Sequence, residues 1–199
     1  MSGFSPDAAR AEWRREPHAG SALVSGIAEA ARELARPDPV PGAVCALGID
    51  PGPVPGFFLA LWRPGEKKAD WARAWQCNAD GAGGLLAMIL SVHGYLITCG
   101  QIEEFRTGRG PGTRGRGASA TREMVSTLTA TALAADRYVK LAVRHSSAVM
   151  PWSADKRLAA AGILDATAQL PHARAASRHA LYCAAHDGGL PDPLSRRAS

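Results

Sequence analysis

Residues 43–62 read AVCALGIDPGPVPGFFLALW, and this stretch decides the fold. Residues 43–50 and 57–62 are short apolar runs of the kind that form buried strands. The segment between them, 51–56, consists of proline and glycine with one valine, which predicts a tight turn. A weaker apolar run follows at 71–77. Three strands joined by short turns therefore open the folded body, and we expect them to pair in an antiparallel sheet.

Helices and further strands follow along the chain. The residue pattern predicts helices over 81–92, 118–135, 153–164 and 171–186, and strands within 95–105 and 138–144. Ser153 is the expected N-cap of the third helix, and Pro171 suits the first turn of the last one, where its missing N–H does no harm. This order predicts an α/β domain, a mixed five-stranded sheet whose first three strands are antiparallel, flanked by helices.

Composition divides the 199 residues into three parts. Residues 1–42 are predicted to form a helical extension with a proline-rich linker, 43–188 the folded domain, and 189–199 a polar tail. No stretch approaches the about 18–20 uncharged apolar residues of a membrane span, and the N-terminus lacks the apolar core of a secretory signal. The four cysteines are far apart and form no CxxC pair, which argues against a structural zinc site or a disulfide framework.

Arginine dominates the positive charge. Lys and Arg number 23 against 18 Asp and Glu, giving a formal net charge of +5, and all but four of these cations are arginines. Codon bias and an anionic partner suited to the planar guanidinium both explain this excess. The glycine-rich segment 108–117 and its flanks carry a cluster of five, namely Arg106, Arg109, Arg114, Arg116 and Arg122. The cluster favours contact with a DNA or RNA backbone over a merely solvated loop.

Asp50 and Glu103 are the carboxylates best placed for chemistry. Asp50 closes an apolar strand beside a turn, where a carboxylate can hold a metal ion, although Asp-Pro-Gly is also an ordinary turn sequence. Glu103 follows Ile102 in a segment that otherwise looks buried, where a charge is unfavourable unless it is paired or binds a cation. Glu104 would point to the opposite face of a strand. The alternative is that both glutamates simply begin a polar loop.

Three histidines recur every seven residues on the last predicted helix, at His172, His179 and His186. Seven residues span about 10 Å of helix, so no two of them can directly share one metal ion. A three-histidine zinc site on this helix is therefore excluded. His172, near the helix start, can still bind a metal held mainly by other segments. We expect His179 and His186 to be surface or packing histidines.

Three short motifs together resemble the RuvC family of Holliday junction resolvases, within the ribonuclease H-like superfamily. Residues 47–52, LGIDPG, resemble the first motif of the family, in which the aspartate on the strand is a metal ligand. Ile-Glu at 102–103 resembles the second motif, and HARAA at 172–176 the third. The resemblance covers about residues 43–186, and MPWSADKRL at 150–158 is most similar to phage and actinobacterial relatives.

The third motif departs from the family pattern at Ala175. The family places two metal ligands three residues apart, an acid or histidine and then an aspartate, and a helix brings both to one face. The first position is His172, but a methyl group at 175 cannot bind a metal. Asp165 and Asp187 lie before and beyond the helix and cannot replace it. The chain is either naturally defective or an engineered Asp-to-Ala variant, and we favour the second because the other motif positions are kept.

The resemblance implies phosphodiester hydrolysis in four-way (Holliday) or otherwise branched DNA. Two Mg²⁺ or Mn²⁺ ions would lie among Asp50, Glu103, His172 and the missing acid. One ion would activate the attacking water and the other would stabilise the leaving 3′ oxygen. With Ala175 in place, we expect one metal site to be weakened and cleavage largely lost, while DNA binding survives.

The resemblance also implies a homodimer, because a two-fold axis matches the symmetry of a junction, and a cytoplasmic location with the nucleoid or with host DNA. Lys156 and Arg157 are further candidates for phosphate contact, and Phe105 either stacks on a base or packs in the core. Two alternatives stay open. One is a non-catalytic protein of the same fold that binds branched DNA, which Ala175 favours. The other is a related nuclease or transposase that acts on another nucleic acid.

Overall fold

The computed structural model describes residues 38–104, 116–135 and 139–195, with no side-chain description for 116–118. The strands are β1 (Val44–Asp50), β2 (Gly56–Trp62), β3 (Trp71–Gln76), β4 (Cys99–Glu104) and β5 (Leu141–His145). The helices are α1 (Ala82–His93), α2 (Arg116–Ala134), α3 (Ser146–Val149), α4 (Asp155–Ala160) and α5 (Pro171–His186). Among the helices of these segments, none is long and apolar enough to cross a membrane.

The strands form one sheet in the order β3-β2-β1-β4-β5. β2 pairs antiparallel with β1 and with β3, whereas β4 runs parallel to both β1 and β5. The mixed five-stranded sheet with three antiparallel strands at its start is therefore confirmed. Because β1, β4 and β5 are parallel, their carboxyl ends meet at one edge of the sheet, which brings Asp50, Glu103 and His145 to that edge.

Side chains alternate across β1 and so build two cores. Leu47 and Ile49 face one side, where they pack with buried residues of α1 and α2. Ala46 faces the other side, in a core formed mainly with small residues of α5 such as Ala176 and Ala180. The small side chains let α5 lie close to the sheet, and this helix becomes the second wall of the candidate site.

The helix predicted over 153–164 is shorter than expected, and its predicted cap is wrong. α4 begins at Asp155 with Ala154 as N-cap, and no side chain caps it. Ser153 is fully buried, and its hydroxyl donates instead to the carbonyl of Val149 at 2.7 Å, which satisfies the end of α3. Gly162 ends the helical segment with a φ of +70°, a conformation that favours glycine.

Candidate active site

Asp50 and His172 form the first half of the candidate site. Asp50 ends β1, His172 lies in the first turn of α5, and Nδ1 of His172 is 3.0 Å from Oδ2 of Asp50. The side chain of Asp50 is only 15% exposed, against 41% for His172. Burial raises the pKa of Asp50 above its ordinary value, and the charge of Glu103 adds to the rise, which the hydrogen bond with His172 only partly offsets.

Gln76 holds the start of α5 and thereby places His172. The N-cap residue of α5, Leu170, offers no side-chain hydrogen bond. Oε1 of Gln76, at the end of β3, accepts instead from the backbone N–H groups of His172 at 2.8 Å and Ala173 at 3.2 Å. Two of the orphan donors at the helix start are thus satisfied from the sheet. Nothing in the sequence marks this role, because the cap comes from a strand 96 residues earlier.

Replacing Gln76 by methionine is expected to lower the free energy of unfolding by about 1–2 kcal/mol, since one buried and one half-buried N–H group lose their acceptor while the shape is kept. Urea denaturation measures this loss. Gln76→Glu, which keeps an acceptor oxygen at the start of the helix, should be less destabilised than Gln76→Met. A Gln76→Met protein as stable as the parent would show that the cap does not hold α5.

Two glycines let α5 sit directly on the sheet. A Cβ on Gly48, in β1, would overlap the carbonyl oxygen of Ala176 and lie 2.6 Å from the backbone nitrogen of Ala180. A Cβ on Gly56, at the start of β2, would overlap the carbonyl group of His172. Glycine is therefore required at both contacts. The glycine of the LGIDPG motif that precedes Asp50 by two residues has a packing role, which fixes the distance between the aspartate and α5.

Glu103 and His179 form the second half of the candidate site. Nε2 of His179 lies 3.3 Å from Oε2 of Glu103, and the imidazole is fully buried. Burial acts to raise the pKa of Glu103, but the contact with His179, a hydrogen bond with Ser146 and the charge of His145 together bring that pKa below its ordinary value. The glutamate is thus held in a polar setting within β4, and the idea that it merely begins a loop is wrong.

His179 does more than the expected surface or packing role. On the side away from Glu103, its Nδ1 lies 2.7 Å from the amide nitrogen of Gln101, a fully buried residue of β4. The signals in the sequence were the seven-residue spacing from His172 and a glutamine inside an apolar strand. His186 behaves as expected, since it is exposed on the helix surface and stacks on Tyr182 with 3.9 Å between ring centroids.

The residues present do not complete a metal centre. Asp50, Glu103 and His172 offer the hard oxygens and imidazole that suit a divalent cation. Ala175 lies three residues after His172 on α5, on the same helix face, and offers no ligand atom. Within residues 38–104, 116–135 and 139–195, no three His, Cys, Asp or Glu side chains are grouped so that they could hold an ion. His172 is turned instead to Asp50, and His179 to Glu103.

Most of the predicted DNA contacts lie outside the described residues or on the exposed surface. Phe105, Arg106, Arg109 and Arg114 lie outside the described residues, and so does the side chain of Arg116. Arg122, on α2, and Lys156, on α4, are exposed.

Arg157 is held within the protein. Its guanidinium bonds both carboxylate oxygens of Asp192 at 3.0 Å, donates to the carbonyl of Trp152 at 2.7 Å, and lies over the Trp152 ring. Its contact with phosphate stays a prediction, and it would have to compete with this network.

Comparison with known proteins supports the architecture. No family model matches the chain, and no curated protein matches it. Among the solved structures, nine chains match. One of them is "T. thermophilus RuvC in complex with Holliday junction substrate", at 16% sequence identity and a TM-score of 0.52, over 73% of this chain and 96% of that chain. At this identity the likeness shows the fold, and the predicted ribonuclease H-like fold is confirmed.

Proposed function

We propose that this chain binds four-way or otherwise branched DNA with a RuvC-like nuclease fold, and that Ala175 weakens or abolishes its hydrolysis of phosphodiester bonds. The observation that carries the proposal is the pair of carboxylate–histidine contacts between the sheet edge and α5, Asp50 with His172 and Glu103 with His179. The similar solved structure, T. thermophilus RuvC, is in complex with a Holliday junction substrate.

The missing acid at position 175 explains why an activity of the fold would be lost while its DNA binding remains. Two carboxylates face two histidines here, so each carboxylate already has a polar neighbour within the protein. Mg²⁺ or Mn²⁺, our proposed cofactor for the complete site, would supply an activated water and stabilise the leaving oxygen. The present residues do not fit such a centre, because position 175 offers no ligand atom.

Affinity for DNA would come from the cations around the candidate site. The net charge of +5 and the cluster from Arg106 to Arg122 suit a phosphate backbone, and the cluster directly follows Glu103 along the chain. We further propose a homodimer in the cytoplasm, whose two equal sites would each face one of two symmetrically placed strands of the junction.

Competition binding tests the partner. A labelled four-way junction bound by the chain is challenged with unlabelled junction, duplex, flap and RNA of matched length at two stated salt concentrations. We expect the junction to compete about 10-fold better than the duplex, and all affinities to fall with salt as phosphate contacts are screened. Equal competition by junction and duplex would overturn the preference for branched DNA. Tighter binding of RNA would favour a related protein that acts on another nucleic acid.

The second candidate function is a purely non-catalytic protein that recognises branched DNA. Ala175 is the observation that favours it, because a methyl group at this position cannot bind the metal ion that a nuclease of this fold would need. Both candidates predict the same binding result. They are separated by whether an aspartate at position 175 creates cleavage.

A further inference from the structure

His179 has two polar neighbours and no contact with solvent. Its imidazole is 0% exposed, with Nδ1 at 2.7 Å from the amide nitrogen of Gln101 and Nε2 at 3.3 Å from Oε2 of Glu103. Within the described part of the chain, Nε2 has no hydrogen-bond partner of ordinary geometry. The carboxylate of Glu103 is therefore the polar group that faces Nε2, whether that nitrogen carries a hydrogen or a lone pair.

The proton of the neutral ring belongs on Nε2. The amide nitrogen of Gln101 can only donate, so Nδ1 must accept, and Nε2 carries the hydrogen. The reverse arrangement would turn the Nε2 lone pair toward a carboxylate oxygen. The buried Oε1 of Gln101 has no hydrogen-bond partner among the described residues. If the amide were reversed, its NH₂ group would take that position, and two N–H donors would lack an acceptor in place of one oxygen. The orientation with the amide nitrogen toward His179 is therefore the more favourable one.

We propose that His179 is a positioning residue for Glu103. Gln101 fixes the tautomer of His179, and the Nε2 hydrogen then holds Oε2 of Glu103, so that the carboxylate keeps one orientation at the sheet edge. α5 is a rigid mount for this contact, because the backbone nitrogen of the next residue, Ala180, lies against Gly48. The inference rests on the proposed function only in taking Glu103 as part of the active site.

Nitrogen NMR of the unaltered chain tests the tautomer directly. In a protein labelled with ¹⁵N on histidine, and with His179 assigned by its loss in His179→Leu, we expect Nδ1 to appear unprotonated and Nε2 protonated. Gln101→Leu should shift the ring toward a mixture of tautomers. A ring with its proton on Nδ1 alone would overturn the proposal, because Nε2 could then hold nothing on Glu103.

Kinetics in an Ala175→Asp background test the consequence for Glu103. His179→Leu is expected to lower the kcat for junction cleavage by about 10–100-fold, with the Kd for the junction changed less than about 2-fold. His179→Gln, whose amide can replace the Nε2 hydrogen, should recover part of the rate. His186→Gln is the matched control on the exposed part of the same helix and should leave kcat unchanged.

A folded His179→Leu protein with unchanged kcat would overturn the positioning role. If Ala175→Asp itself cleaves nothing, the proposed nuclease function fails, while the tautomer of His179 still decides the inference. If His179→Leu does not fold, the His179 signals of the unaltered chain are assigned by elimination, using His172→Gln, His186→Gln and variants of the other histidines. The tautomer seen in that spectrum then tests the proposal in the same way.

Discussion

Replacing Ala175 by aspartate is expected to raise the cleavage of four-way junctions in Mg²⁺ or Mn²⁺ by about 10²–10³-fold. Position 175 lies on the same face of α5 as His172, so a carboxylate there would join Asp50 and Glu103 around one volume. Metal-assisted stabilisation of the transition state contributes several kcal/mol, which corresponds to that factor in rate. Single-turnover cleavage of a labelled junction measures it.

Three controls separate the carboxylate from other effects of the substitution. Ala175→Asn adds the same shape without the charge, Ala175→Asp combined with Asp50→Asn removes a partner ligand, and Ala185→Asp places an acid elsewhere on α5. None of the three should cleave. If the unaltered chain and Ala175→Asp cut equally well, the site assignment is wrong. If Ala175→Asp binds the junction but does not cut it, the non-catalytic candidate replaces the nuclease.

The sheet and its main helix could be predicted because their signals are local. The apolar run ending at Asp50 and the Pro171 start of the last helix both depend on neighbouring residues, and the last helix has its predicted bounds. The mixed sheet follows from a hairpin start and later crossovers. Asp50, Glu103 and His172 could be placed together only through the family resemblance, since their contacts join residues far apart in the chain.

The supporting residues could not be predicted, because they depend on how α5 crosses the sheet. Gln76 caps a helix that begins 95 residues later, and His179 meets Gln101 only after α5 has crossed β1 to reach β4. Ser153 shows the opposite error. Its position before a helical run suggests an N-cap, but burial leaves its hydroxyl to the carbonyl of Val149. Sequence patterns predict hydrogen-bond partners from neighbouring residues, whereas the partners in the folded chain depend on how the helices pack on the sheet.

Gly48→Ala is expected to have the largest effect on stability, a loss of about 3 kcal/mol or more in the free energy of unfolding. The added methyl group would overlap the backbone of α5 at Ala176, and backbone atoms on both sides cannot rotate away as a flexible side chain can. For a chain of this length, the melting temperature should fall by about 6–12 °C. Thermal unfolding followed by circular dichroism measures the change.

Gly83→Ala is the matched control for this substitution. Gly83 lies in α1, where a Cβ would meet nothing within 4 Å, so alanine should raise stability by about 0.5–1 kcal/mol through helix propensity alone. A Gly48→Ala protein that melts with the parent would show that β1 and α5 are not in direct backbone contact.

The contact at Gly48 also links packing to the candidate site. Gly48 contacts Ala176 and Ala180, which directly follow Ala175 and His179 in the sequence. An outward shift of α5 at Gly48 would therefore move positions 175 and 179 away from the sheet edge. It would separate His172 from Asp50 and His179 from Glu103 in one step. In the Ala175→Asp background, at a temperature where Gly48→Ala is still folded, cleavage should therefore fall more steeply than junction binding. Junction binding should change less, because the proposed phosphate contacts of the cluster from Arg106 to Arg122 come from a part of the sequence outside α5.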